Sequence, residues 1–346
     1  MRFLLSCGLV FFGVFRLPAV EAADNPVAAE SAAVLQLKQT FAASDSLDCS
    51  ADEVSDANEC LRGLSWKPAG FDVQVEAADP GRGEWLIRFP SPLPSDDAVN
   101  DRVAMEFHVA RDSRGLVRHV PAVVVVHESG GNMAVGRSIA RGICALGMHA
   151  FMIQLPGYGA RRNESVDHDN VVRMLPALRQ AIADVRRARD AVTAIPCVDS
   201  RVVGVQGTSL GGFVTATAAG LDQGYNRVFI LLAGGNLHDV VLNGAKDAAK
   251  IREKLQAAGV TREQILFHSR LIEPMRLAHR MNPQTTWIYS GQYDDVVPPA
   301  CSIALARAAS LPADHHIQLP ADHYSGVIFL PMVLQQIQLK MTSDLR

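Results

Sequence analysis

The stretch Val202 to Ala219, VVGVQGTSLGGFVTATAA, constrains this chain more than any other. An apolar extended run passes directly into Gly207-Thr208-Ser209-Leu210-Gly211, and a helical run of small residues follows from Phe213 to Ala219. A serine with glycines two residues away on either side, on a sharp strand-to-helix turn, forms a nucleophile elbow. The turn strains the serine backbone, and small residues at the flanking positions avoid collision with neighbouring backbone. The hydroxyl then projects from the sheet, above the positive end of the following helix. Ser209 is therefore the candidate nucleophile.

Such an elbow needs a sheet to project from, and the rest of the chain supplies one. Ala122 to Val126 is unbroken apolar sequence with four β-branched residues of five, the pattern of a strand buried on both faces. A helix is expected from Val135 to Leu146, a strand from Ala150 to Gln154, a helix from Val171 to Ala194 and a strand from Arg201 to Gln206. Val228 to Leu232, Thr285 to Tyr289 and Ile317 to Leu319 read as further strands. This alternation predicts an α/β fold with a mostly parallel sheet and helices on both faces. Upstream, Phe71 to Glu76, Glu84 to Phe89 and Val103 to Arg111 alternate in polarity between turn-rich DPGRG and PSPLPSDD, and read as an antiparallel start to a mixed sheet. Between the strands ending at Leu232 and starting at Thr285 lie about fifty residues of helical character. That insertion, roughly 236–282, is too long for an ordinary connection and is the candidate cap. Its apolar residues, among them Val240, Leu255, Ile265 and Ile272, are mixed with Lys, Arg and Glu, which suits a packing face better than a lipid surface.

The amino terminus reads as an address. Met1-Arg2 precedes thirteen apolar or small residues, Phe3 to Phe15, and Val20-Glu21-Ala22 offers a cleavage site after Ala22. That is the layout of a secretory signal peptide, and the run is shorter than the roughly 20 residues needed to span a bilayer. Residues 1–22 are thus expected to be a signal segment, and the mature chain to be secreted or periplasmic with no stable membrane anchor. Residues 23–70 form a preface, expected to be helical from the Val34, Leu37 and Phe41 spacing. Cys49 and Cys60 within it could pair in an oxidising compartment, and the five cysteines beyond Cys7 leave at least one thiol free. Lys and Arg number 33 against 36 Asp and Glu with no long run of either sign, so a nucleic-acid partner is not expected.

From about Phe71 to the carboxyl terminus the chain resembles the α/β-hydrolase superfamily. The pairing of HESGGN (127–132) with GTSLGG (207–212) is similar to dienelactone-hydrolase-like and acetylxylan-esterase-like members. Dienelactone hydrolases carry cysteine where this chain has Ser209, so their particular reaction does not transfer. The resemblance implies an α/β-hydrolase domain over 71–346 and a chain order of serine, acid, histidine. Gly291-Gln292-Tyr293-Asp294-Asp295-Val296-Val297-Pro298 resembles the family's G-x-x-D-x-x-V-P loop, which points to Asp294 as the acid, with Asp295 as its rival. His323 lies just beyond the last strand and is the candidate base, whereas His315 and His316 fall at the wrong end of it. The oxyanion donors are expected to be the backbone N–H of Leu210 and, by the resemblance, that of Ser129. His127, in the same loop, suits a supporting hydrogen bond.

These residues imply a serine hydrolase acting on carboxylic esters of small or short-acyl substrates through an acyl-enzyme. A peptidase or amidase of the same fold, and a catalytically silent binding member, are the competing classes. No phosphate loop, HExxH or paired-cysteine site appears, so neither cofactor nor metal is expected. Arg161 and Arg162, beside the expected cleft, read as solvated loop residues, and Arg186, Arg187 and Arg189 as the solvated face of the long helix. Asn163-Glu164-Ser165 fits the N-glycosylation acceptor pattern.

Overall fold

In the computed structural model, which describes residues 35–167 and 170–343, the chain builds one ten-stranded sheet. The expected signal segment lies outside the described residues. β1 (Thr40–Ser44) is followed by α1 (Ser55–Leu64), and then by β2 (Gly70–Ala77), β3 (Trp85–Pro90) and β4 (Arg102–His108). These four strands pair antiparallel in sequence order. The strand–helix alternation follows, with β5 (Val120–Val126), α2 (Ala134–Ala145), β6 (His149–Gln154), α3 (Met174–Thr193), β7 (Val198–Thr208), α4 (Leu210–Asp222) and β8 (Arg227–Leu231). The insertion contributes α5 (Leu237–Asn243), α6 (Lys246–Ala257), α7 (Arg262–Arg270) and α8 (Pro274–Leu277). β9 (Thr286–Gly291), α9 (Pro299–Ala308), β10 (His316–Leu319) and α10 (Leu330–Thr342) complete the fold. The sheet order is β1-β2-β3-β4-β6-β5-β7-β8-β9-β10. β4 meets β6 antiparallel, and every pair from β6 to β10 is parallel.

The central strand shows why the sheet is sandwiched. Every residue of β5 is buried. Val124 and Val126 join the core formed with Ile182 and Val185 of α3 and Val214 of α4, whereas Val123 and Val125 face Ile139 and Ile143 of α2 and Ile337 of α10. Fully burying one such side chain stabilises by about 1.5–3 kcal/mol, and only a strand covered on both faces can use consecutive valines in this way. Pro121 has no N–H to donate, and the β5–β7 register shifts between Val120 and Ala122.

The preface departs from expectation. Phe41 lies in β1, not in a helix, and Leu37 is exposed. Period two prevails here because β2 offers a partner: Phe41 pairs with Val73 and Ala43 with Phe71, which turns both apolar side chains onto the core. The expected Cys49–Cys60 disulfide is absent as well, since both are free thiols, Cys49 near the Leu221 carbonyl and Cys60 near that of Leu271. Charge holds the preface down instead. Asp45 pairs with Arg187 at 2.5 Å, Ser46 bonds Asp190, and Asp52 pairs with Arg280 at 2.7 Å.

The same network corrects the reading of the α3 arginines. Arg186 is buried, pairing with Asp222 at 2.6 Å and with Asp190 at 3.1 Å, while Arg187 is covered by the preface and stacks on Phe71. Arg161 is fully buried too, its guanidinium on Asp184 at 2.7 Å and on the carbonyls of Asn100 and Gln154. It ties the loop after β6 to α3 and does not face the cleft. Arg162 pairs with exposed Glu164.

Candidate active site

Ser209 stands between β7 and α4 with φ 53° and ψ −117°, a left-handed conformation that costs a non-glycine residue about 1–3 kcal/mol. The surroundings enforce it. Its N–H donates to the Leu231 carbonyl at 2.9 Å, at the end of β8, and its carbonyl accepts from Gly212 and Phe213. A Cβ on Gly211 would strike the carbonyls of Val126 and His127, and one on Gly207 would strike Gly211, so the elbow closes only with glycine at both positions.

Three side chains predicted from different parts of the sequence come together here. Ser209 Oγ lies 3.0 Å from His323 Nε2, and His323 Nδ1 lies 2.7 Å from Asp294 Oδ2. A carboxylate only accepts, so Nδ1 carries the proton and Nε2 is left to accept from the serine hydroxyl. The second oxygen, Asp294 Oδ1, accepts from the amides of Val296 at 2.9 Å and Val297 at 2.8 Å. Asp294 and His323 are both buried. Asp295 turns away to pair with Lys246 at 2.9 Å, so of the two neighbouring aspartates it is Asp294 that meets the imidazole. His315 binds the carbonyls of Pro283 and Thr286, and His316 binds Ser290 Oγ, both away from Ser209.

The loop after β5 brings Ser129 to the same end of the sheet. Five hydrogen bonds made by three side chains shape it. His127 Nε2 accepts from the Leu155 N–H at 3.1 Å, which leaves its Nδ1–H to donate to the Glu128 carbonyl at 2.5 Å. That carbonyl belongs to the same peptide unit as the Ser129 N–H, so the imidazole fixes which way the amide points. The Glu128 carboxylate accepts from Val135 and Gly136, capping α2 at 3.0 Å to each amide, and Tyr158 OH donates to the Ser129 carbonyl at 3.0 Å. Glu128 and Tyr158 were not singled out from sequence. A carboxylate that caps amides seven and eight residues downstream follows no local capping rule, and Tyr158 reaches its partner from the loop after the neighbouring strand.

Burial pushes the His127 imidazole down to about 4, and does the same to His149, whose ring accepts the Ala110 N–H within the core. Both rings are therefore neutral in the folded protein well below their ordinary value near 6.5. Unfolding releases them to that value, so the unfolded chain binds more protons between about pH 6.5 and 4, and stability falls as pH is lowered through that window. Thermal melts from pH 7 to pH 4 are expected to show a falling Tm, with unfolding that consumes protons. A Tm flat across this range would contradict the burial of these rings.

Among the described residues, no group of three His, Cys, Asp or Glu side chains is arranged to hold a metal ion, and no helix is long and apolar enough to cross a membrane. The mostly parallel sheet sandwiched by helices, with a serine on the elbow after β7 and an acid and histidine after β9 and β10, is the α/β-hydrolase fold.

Comparison with known proteins agrees. Residues 108–231 match the dienelactone hydrolase family model. The fold is similar to the acetyl xylan esterase from Paenibacillus sp. R4, with TM-score 0.57 and 15% identity, covering 82% of this chain and 91% of that one. It is likewise similar to acetyl xylan esterase 1 from Thermoanaerobacterium sp. JW/SL YS485, with TM-score 0.54 and 16% identity over 82% and 92% of the two chains. The α/β hydrolase GrgF from Penicillium sp. sh18 superposes with TM-score 0.52 and 14% identity over 75% and 97%. A search of curated protein sequences finds no match.

Proposed function

We propose that this protein is an exported serine hydrolase that cleaves carboxylic esters with small or short acyl groups through an acyl-enzyme. The observation that carries the reading is the continuous hydrogen-bonded chain from Ser209 Oγ through His323 to Asp294, at 3.0 and 2.7 Å. In this mechanism Ser209 Oγ attacks the ester carbonyl carbon while its proton passes to His323 Nε2, and Asp294 stabilises the resulting imidazolium. The tetrahedral oxyanion is met by the N–H groups of Leu210 and Ser129, each such donor being worth about 10²–10³ in rate. The imidazolium then protonates the departing alkoxide. A water molecule, deprotonated by the same imidazole, attacks the acyl-serine, and the acid leaves as Ser209 regains its proton. The family match and the shared fold support ester hydrolysis as the reaction class. The basic start, apolar run and Ala22 cleavage site support export.

The insertion supports the short-acyl part. Val240, Leu255, Ile265 and Ile272 are buried, Val240 against Val296 and Ile272 in the main core, so much of its apolar sequence is consumed in packing. A lipase lid keeps a broad apolar patch for the lipid surface. The acetyl esterases among the structural neighbours make acetyl groups on carbohydrate the first substrates to try. On p-nitrophenyl esters from acetate to palmitate, kcat/KM is expected to peak at short chains, with no jump when the substrate aggregates. A maximum at long chains with interfacial activation would replace this reading with a lipase.

A further inference from the structure

The amides of Val296 and Val297 hold Asp294 Oδ1, and the side chains of the same two residues form the seat of the insertion. Val296 and Val297 are buried in a small apolar cluster of their own with Val240 of α5, Ala248 of α6 and Cys301 of α9. Backbones meet at this seat as well. Ala245 N–H donates to the Asp295 carbonyl at 2.7 Å, and Gly244 sits so close to the Val296 carbonyl that a Cβ there would strike it. A second tie runs from the insertion to the histidine loop. Tyr324 OH donates to Asp247 Oδ2 at 2.9 Å, and the Tyr324 ring stands edge-on to the His323 imidazole, 5.6 Å between centroids. Lys246 spans the two loops, its ammonium 5.0 Å from the Tyr324 ring centroid and 2.9 Å from Asp295.

We infer that residues 240–248 of the insertion are a clamp that positions Asp294, and through it His323, for proton transfer from Ser209. The inference rests on the serine-hydrolase reading and deepens it: the cap becomes part of the apparatus that aligns the triad. These are positioning residues, none of which touches Ser209. The exposed pairs of Lys246 and Asp247 contribute little individually, so the buried seat on Val296 and the Ala245 amide carry most of the effect. An element that only walled the pocket would meet substrate equally in the ground and transition states, and its loss would raise KM. A clamp on the acid acts on the chemical step, where a displacement of about 1 Å can cost about 10²-fold.

Two variants separate these outcomes. Gly244→Ala drives a methyl group into the Val296 carbonyl. Ala245→Pro removes the N–H bound to Asp295 and sets the ring Cδ where that hydrogen pointed, so the Asp295 carbonyl must withdraw. With p-nitrophenyl acetate, each is expected to lower kcat about 10- to 100-fold while KM stays within about twofold. Labelling of Ser209 by a fluorophosphonate should slow in proportion. Tyr324→Phe and Asp247→Asn, which disturb no core, should lower kcat in the same sense by a smaller factor, and they carry the test if the first two fail to fold. Phe267→Ala, on exposed α7, should leave kcat unchanged. Folded clamp variants with wild-type kcat, or with only KM altered, overturn the clamp and leave the hydrolase reading standing. Hydrolysis that survives Ser209→Ala overturns both.

Discussion

Ser209→Ala is expected to abolish ester hydrolysis, lowering kcat by about 10⁶, the loss typical of a nucleophile in a serine–histidine–aspartate unit. The fold should survive. The alanine removes one hydroxyl, which bonds His323 Nε2, and it leaves the backbone bonds of the elbow intact. Residual rate enhancement of about 10³–10⁴ over water would come from the oxyanion donors and substrate binding alone. Two measurements decide the matter: turnover of p-nitrophenyl acetate, and mass spectrometry after treatment with a fluorophosphonate, which should add one phosphonyl group to Ser209 in the natural chain and none in the variant. A variant that keeps a tenth of the activity would remove Ser209 from the mechanism, and with it the roles of His323 and Asp294.

The largest effect on stability is expected from Asp184→Ala. Asp184 and Arg161 are both fully buried, paired at 2.7 Å, and Asp184 also accepts from Ser91 Oγ at 2.6 Å. Burial pushes the Asp184 carboxyl up, and the Arg161 guanidinium and Ser91 hydroxyl oppose it. Removing the carboxylate leaves a guanidinium stranded in the interior, and such a change costs about 3–5 kcal/mol. Against a typical total of about 5–15 kcal/mol, that is enough to leave the chain marginal or unfolded. Replacing both partners by apolar residues of similar volume, Arg161→Met with Asp184→Leu, should recover part of the loss, because it removes the unpaired charge but still deprives the Ser91 hydroxyl and the Asn100 and Gln154 carbonyls of partners. Urea denaturation of the three proteins measures this. A single variant within about 1 kcal/mol of the natural chain would show that the pair is not buried as described.

What could be read from the sequence shares one property: it is decided by residues close together along the chain, or by the order of strand ends. The valines of β5 announce a strand covered on both faces because a short run of β-branched residues favours extended backbone and leaves no polar side to face water. The elbow is legible because its strain and its glycine requirement lie within five residues. Asp294 and His323 follow because a parallel sheet presents all its carboxyl ends on one edge, so the loops after β9 and β10 fall beside the loop after β7 whatever the intervening sequence does.

Tertiary structure decided the rest. Phe41 reads as well in a helix as in a strand until β2 offers it Val73 as a partner. Arg161, Arg186 and Arg187 look like solvated residues until Asp184, Asp222 and Asp45 arrive from positions 23 to 142 residues away in sequence. Cys49 and Cys60 are close in sequence, one just before α1 and one within it, yet packing directs them to different carbonyls. The choice of Asp294 over Asp295 is set by which of two adjacent carboxylates faces the imidazole, and Val296, Val297 and Lys246 settle that orientation in space. Local sequence can specify a backbone shape and a strand's end. The partner of a charge or a thiol depends on which distant segment packs against it, because the free energy of pairing is set by the burial and geometry that the packed neighbours create.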